Sequence, residues 1–170
     1  MKEQHQLEQN KHEEPLSLLT RAMITGFVGG LIASITGLII YYFNFTEVSP
    51  TSFVLKSWVN ATWVESWLGT LITVIMMGLL SMIIAFIYYI TLKKLYTMWI
   101  GVTFGIVLWG IIFFVLHPLF PNIPAFVDLE INTLVSTACL FILYGTFIGY
   151  SIAYDYHDTK IKEKKEQVQN

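Results

Sequence analysis

The sequence predicts an all-α polytopic membrane protein, a four-helix transmembrane bundle with both termini in the cytoplasm. Three observations carry that prediction. Four long stretches, residues 22–46, 66–92, 95–127 and 131–154, contain no Asp, Glu, Lys or Arg. Only 13% of the chain is charged and 55% is hydrophobic, whereas about a quarter of a soluble domain is charged. Nine of the ten Lys and Arg residues fall before the first stretch, between the second and third, or after the fourth. Basic residues concentrate in cytoplasmic connections, so this distribution places both ends inside.

Each stretch is long enough to span. A helix needs about 20 apolar residues to cross a hydrocarbon core of roughly 30 Å. No water is available there to the backbone, so a helix that bonds internally is the natural form. A membrane barrel strand would alternate apolar and polar residues, and these runs do not.

Residues 1–20 read as a disordered polar cytoplasmic tail. The first helix is expected over about 22–43. It is too long for the apolar stretch of a cleaved leader and closes on Tyr41, Tyr42 and Phe43. An outer segment follows, in which Ser49-Pro50 is a good helix start. Phe53, Val54, Trp58 and Val59 have roughly helical spacing, and Trp63 and Trp67 favour an interface. A short helix lying along the outer surface is predicted there. The second helix covers about 67–92. Residues 93–97 make a tight inner turn, which predicts that helices two and three pack as antiparallel neighbours. The third helix runs over about 98–116 and stops at His117-Pro118, because proline disfavours helix at the preceding residue. The loop to Glu130 holds Pro118, Pro121 and Pro124 and should be a stiff cover. The fourth helix covers about 132–154. The transmembrane domain is thus 21–156, and 157–170 is a charged cytoplasmic tail, helical for a turn or two.

Small residues mark where the helices touch. In lipid, helix association relies on close backbone approach. Ala22, Thr25, Gly26, Gly29, Gly30, Ala33, Ser34 and Gly37 recur at spacings of three and four and share one face of the first helix. Gly145 and Gly149 repeat the device in the fourth, Gly101 and Gly105 in the third, and Gly78, Ser81 and Ala85 in the second. With this threading the inner half should be tight and the outer half wider and padded by aromatics. The stripe on the first helix either packs the monomer or joins two copies as a homo-oligomer.

Candidate chemistry is sparse. No ionisable residue lies deep in any span, where one would be a functional-site hypothesis by default. That argues against a proton-coupled carrier and an intramembrane protease. His117, Asp128 and Glu130 form a speculative polar outer-loop site whose residue types could hold a divalent metal. The plainer reading is a helix-end His bonded to a loop carbonyl, so no metal or other cofactor is assigned. Asp155, His157 and Asp158 are a second polar cluster, read as solvated groups at the inner interface. Ser34, Thr36, Thr70, Thr73, Ser136, Thr137 and Thr146 either bond their own helix backbone or line a narrow polar path. Cys139 has no partner for a disulfide. The net charge of −2 gives no sign of a nucleic-acid partner.

Five segments in order resemble the YqhR family: Phe45-Thr-Glu-Val-Ser-Pro50, Trp67-Leu-Gly-Thr70, Lys93-Lys-Leu-Tyr-Thr-Met-Trp99, His117-Pro-Leu-Phe-Pro121 and Tyr144-Gly-Thr-Phe-Ile-Gly-Tyr150. The family comprises integral membrane proteins of endospore-forming Gram-positive bacteria. The resemblance implies a bacterial plasma membrane and makes the sequons at Asn44 and Asn60 irrelevant. The family's function is uncharacterised, so no catalytic residue carries over. The expected function is therefore a non-enzymatic membrane protein. It would act through helix or outer-loop contacts with membrane lipids and an envelope protein partner or second copy. A facilitative channel or carrier for a small solute is the alternative. An enzyme built on the outer loops would need His117, Asp128 and Glu130 to converge.

Overall fold

Four long helices cross the molecule in the computed structural model, which describes residues 17–57, 59, 61–120 and 123–169. The expected N-terminal tail lies outside the described residues up to residue 16, as do Trp58, Asn60 and Pro121. Helix α1 is Leu18–Tyr42. Ser17 caps it by accepting the Thr20 amide at 3.3 Å, which places the start upstream of residue 22. Its far end closes on Asn44, at φ 58°. The Asn44 and Phe45 amides donate back to the Tyr41 and Ile40 carbonyls at 3.0 and 2.9 Å. Asparagine tolerates this left-handed position better than most residues, so it turns the chain sharply here.

Helix α2 is Trp67–Leu92, preceded by a 3-10 turn, Thr62–Glu65. A side chain at Gly69 would strike the Val64 carbonyl of that turn. Helix α3 is Met98–Gly110 and runs on as a π-helical turn, Ile111–Val115, in which the Leu116 amide reaches back to Ile111 at 2.9 Å. Helix α4 is Ile131–Gln169, 39 residues in one piece. At 1.5 Å per residue that is roughly 58 Å, nearly twice a hydrocarbon core. The charged tail thus continues the helix far beyond a turn or two. All four helices are long and apolar enough to cross a membrane.

The packing pairs α1 with α2 and α3 with α4, and joins the pairs through α1 and α4. Helices α2 and α3 correct an expectation. The tight turn joins them, and Tyr88 and Phe104 meet edge to face at 4.9 Å near it. They share no packed face of the extent that the other pairs show. A short turn fixes where two helices meet, not how far they stay together. What separates them is the preference of each for a glycine-bearing partner.

The end that carries the start of α1 and the α2–α3 turn is the tight one. A methyl group on Gly26 would lie 2.5 Å from Ala85 Cβ, and one on Gly30 would overlap Ser81. Gly29 faces Ile148 and Phe147 of α4 instead. The stripe on α1 is therefore filled from within the chain, from two sides. On the other pair, a methyl on Gly145 would sit 2.5 Å from Gly105 Cα and 2.6 Å from the Gly101 carbonyl. The two backbones are in contact. Ala22, Ala85, Tyr88, Tyr144, Ile148 and Ile152 form the core of this half. Ser81 ties it across helices: its hydroxyl donates to the Gly26 carbonyl and accepts from Tyr144.

Candidate functional site

The loop end holds a folded cap with a second core of Val48, Phe113, Ile123 and Leu129. The segment after Asn44 does not lie on the outer surface as expected. Ser49, Pro50, Thr51, Val54 and Leu55 are buried, and Pro50 reaches in beside Gly37, whose added methyl would lie 3.0 Å from Pro50 Cγ. The segment turns helical at Pro50, becomes a π-turn over Ser52–Lys56 and plugs the mouth of the bundle. Local signals are the same for a surface helix and an inserted one. Here the apolar Pro50, Val54 and Leu55 decide by burying themselves.

The plug is tied down on all sides. The Glu47 amide donates to Thr133 Oγ1 at the start of α4, at 2.9 Å across 86 residues of sequence. Phe53 packs edge to face on Phe113 and Phe120, with ring centres 5.9 and 5.4 Å apart. Trp109 meets Phe126 at 5.8 Å and donates its indole N–H to Thr137 at 3.0 Å. An ion pair of 2.9 Å joins Lys56 to Glu65 at the rim.

Between the cap and the tight half lies a cavity of about 820 Å³. Its floor is Gly30, Ala33, Ser34 and Ser81; its roof is Pro50, Phe53, Leu55 and Phe120. The side walls are Met76, Leu80 and Ile83 of α2 and Leu108, Ile111 and Leu116 of the α3 arm. Met76, Leu80, Ile83 and Ile111 are also exposed on the outside of the molecule, by 39 to 57%. The cavity therefore opens sideways, through the gap where α2 and α3 diverge.

The chamber is apolar. Among its lining hydroxyls, Ser81 and Tyr144 bond each other, Thr137 donates to the Thr133 carbonyl at 2.7 Å, and Thr46 pairs with Val48. Ser34 Oγ alone among them is buried without a hydrogen-bond partner. A buried water typically makes about three hydrogen bonds, and this wall offers few. An empty void is no better. Bare apolar walls would forgo the packing contacts that a filled space supplies.

The other polar groups singled out in the sequence are dispersed. Thr36, Thr73 and Thr146 donate to carbonyls four residues earlier in their own helices. Thr73 and Ser136 do not line the chamber. His117 opens a 3-10 turn, His117–Leu119, and its side chain lies outside the described part of the structure. Asp128 ends another such turn, Phe126–Asp128, and both it and Glu130 are exposed. Among the described residues no group of three His, Cys, Asp or Glu is placed to hold a metal. At the other end His157 packs at a tilt against Tyr96 with ring centres 4.8 Å apart, and Lys93 Nζ lies 3.9 Å over the Tyr89 ring. Reading the sequence alone missed the plug, the chamber and the Ser81–Tyr144 tie. A usable signal existed for the tie: Ser81 falls in a small-residue stripe, where a hydroxyl can reach a neighbouring helix.

Four spanning helices, apolar faces such as those of Ile24, Ile32, Leu79 and Leu143 turned outward, and polar groups satisfied within the helices define a polytopic α-helical membrane protein. Faces of this kind would be a liability in water. The chain belongs to the YqhR family: the family model described as conserved membrane protein YqhR matches residues 2–167. It is 40% identical over 156 residues to "Uncharacterized protein YqhR" of Bacillus subtilis (strain 168), covering 92% of this chain and 87% of that relative. No solved structure matches it.

Proposed function

We propose that the protein is a non-enzymatic component of the bacterial plasma membrane. Its termini are cytoplasmic, and it acts through its outer cap on a protein partner in the envelope. The observation that carries this reading is the cap itself. Linking α1 to α2 and α3 to α4 does not require a buried proline, an aromatic cluster or a hydrogen bond spanning 86 residues. Such a layer holds a surface in a fixed shape. Phe45, Leu119 and Val127 face outward from it, Val127 at 90% exposure. The interior of the cap is built of Phe, Trp, Ile, Leu, Val and Thr side chains, which supports binding over chemistry. Orientation is supported by charge: the loop-end connections carry a net −3 and the terminal end +1.

Two experiments test it. A reporter fused after Asn170 should read as cytoplasmic; an extracytoplasmic signal overturns the orientation. A photo-crosslinking residue at Val127 in native membranes should capture a discrete polypeptide, identified by mass spectrometry. Adducts to lipid alone would sink the partner. A solute path is not favoured, because Thr36, Thr73 and Thr146 are spent on carbonyls of their own helices and the chamber wall is otherwise apolar.

A further inference from the structure

We infer that the lateral chamber is a binding site for one acyl chain of a diacyl lipid in the leaflet at the loop end. Four observations converge on that occupant. The chamber sits among spanning helices, so the medium at its side opening is hydrocarbon. Met76, Leu80 and Ile83 on one lip and Ile111 on the other line the cavity and face that medium at once. Its depth fits one leaflet. Along α1 the lining runs from Gly30 to Ile40, ten residues or about 15 Å of helix rise, and half a hydrocarbon core is about 15 Å. Third, the wall is apolar and its hydroxyls, Ser34 excepted, are already paired, so it suits methylene groups and not water. Fourth, the plug of Pro50, Phe53 and Leu55 roofs the chamber, so entry from the aqueous side is blocked and entry from the side is open.

The shape selects a chain over a transmembrane helix from another protein. A helix with its side chains is about 10–12 Å across and would continue through both leaflets. The floor at Gly30 and Ser81, where α1 and α2 are in contact, stops anything that long. A flexible chain that ends near mid-membrane meets no such stop. The headgroup would then rest at the loop-end interface, outside the lip, where the chamber walls set no demand on its chemistry.

The test uses the full chain reconstituted in vesicles of phosphatidylethanolamine and phosphatidylglycerol. A trace of phosphatidylglycerol carries a diazirine midway along one acyl chain. After irradiation, adducts are mapped by mass spectrometry. The expected pattern has adducts on the inward-lining Met77, Leu108 and Leu140 as well as on the outward Leu79 and Leu143. Two filling variants, Ala33→Phe and Leu140→Trp, should lose the adducts on Met77 and Leu108 and keep the outward ones. The outward pattern reports that the variant is still inserted and folded, and the wild-type map stands as a test without either variant. Adducts confined to outward positions overturn the inference. So do inward adducts that persist unchanged in both variants, and so does capture of a second polypeptide at the inward positions in native membranes.

Discussion

The two halves of this bundle solve the same problem in opposite ways. At the terminal end, glycines bring backbones into contact, and the helices need no filler between them. At the loop end the same helices diverge, and the space is handled by a plug, an aromatic cluster and an apolar chamber. The contrast follows from what lipid offers. It gives helices little hydrophobic reason to associate, so close contact must come from small residues. Where those residues stop, the helices part. On α1 the tight glycine contacts with α2 are those of Gly26 and Gly30; on α3 the last tight glycine is Gly105. Gly110, about one and a half turns further on, has nothing within 4 Å of an added methyl. The π-turn begins just after it, and the chamber begins at the same level.

That contrast can be broken most forcefully at the α3–α4 contact. Gly145→Leu would push a branched side chain into the Gly105 backbone, which has no rotamer to give way. The expected loss is more than about 3 kcal/mol of unfolding free energy, seen as failure to fold or a collapsed denaturant midpoint in detergent. Gly110→Leu is the matched control one and a half turns from Gly105. It should not lower stability, and the helix propensity gained over glycine is worth up to about 1 kcal/mol. If the two variants behave alike, the halves do not differ in the way the structure says.

Next in size is the polar tie of the tight half. Ser81→Ala removes the donor to the Gly26 carbonyl and leaves the buried Tyr144 hydroxyl without its acceptor. Hydrogen bonds between membrane helices average about 0.6 kcal/mol and reach about 1.7 kcal/mol, and this change removes two. A loss of about 1 to 2 kcal/mol is expected in a denaturant titration. Tyr144→Phe should recover most of it in the double variant, since the orphaned hydroxyl is then gone. Strict additivity of the two single losses would show that the tie is not coupled.

The loop half has a counterpart in Trp109→Phe. It deletes the indole donor to Thr137 but keeps a ring beside Phe113 and Phe126. Thr137 retains its bond to the Thr133 carbonyl, so nothing is left unsatisfied. The expected loss is about 0.5 to 1 kcal/mol, smaller than at Ser81. A loss as large as that of Ser81→Ala would mean that the cap, not the glycine contact, holds the bundle together.

Which parts of this were readable from residues alone follows the physics. The spans were legible because length and absence of charge are one-dimensional properties. Small-residue faces were legible because a spacing of three and four fixes a face. Their partners were not: nothing in the order of residues says that Gly26 meets Ala85 while Gly29 meets Ile148. Pro50 advertised a helix start but not its depth, because insertion depends on a vacancy made by other helices. The divergence of α2 and α3 was hidden by the shortness of the turn that joins them. A wider outer half was expected from where the small residues stop, but the chamber within it was not, since Met76, Leu80 and Ile111 read like any lipid-facing residues. The unbroken run of α4 through its charged tail was hidden as well, because Lys and Glu are good helix formers that also mark solvated ends.

The smallest effect is the most discriminating about the chamber. Ser34 Oγ is buried at its floor with no hydrogen-bond partner, and the residue is 1% exposed. A hydroxyl left unsatisfied in an apolar setting costs about 1 to 3 kcal/mol by mutational data. Ser34→Ala removes that hydroxyl and changes the shape of the floor very little. With hydrocarbon in the chamber, the variant should unfold at the same or a slightly higher denaturant concentration, with a gain of up to about 1 kcal/mol. A loss of stability would mean that the Ser34 hydroxyl holds a hydrogen bond in the native protein, and the floor is then not dry at that point. The sign of a small change in midpoint, measured beside the unaltered protein, therefore tells whether the chamber floor is dry at Ser34.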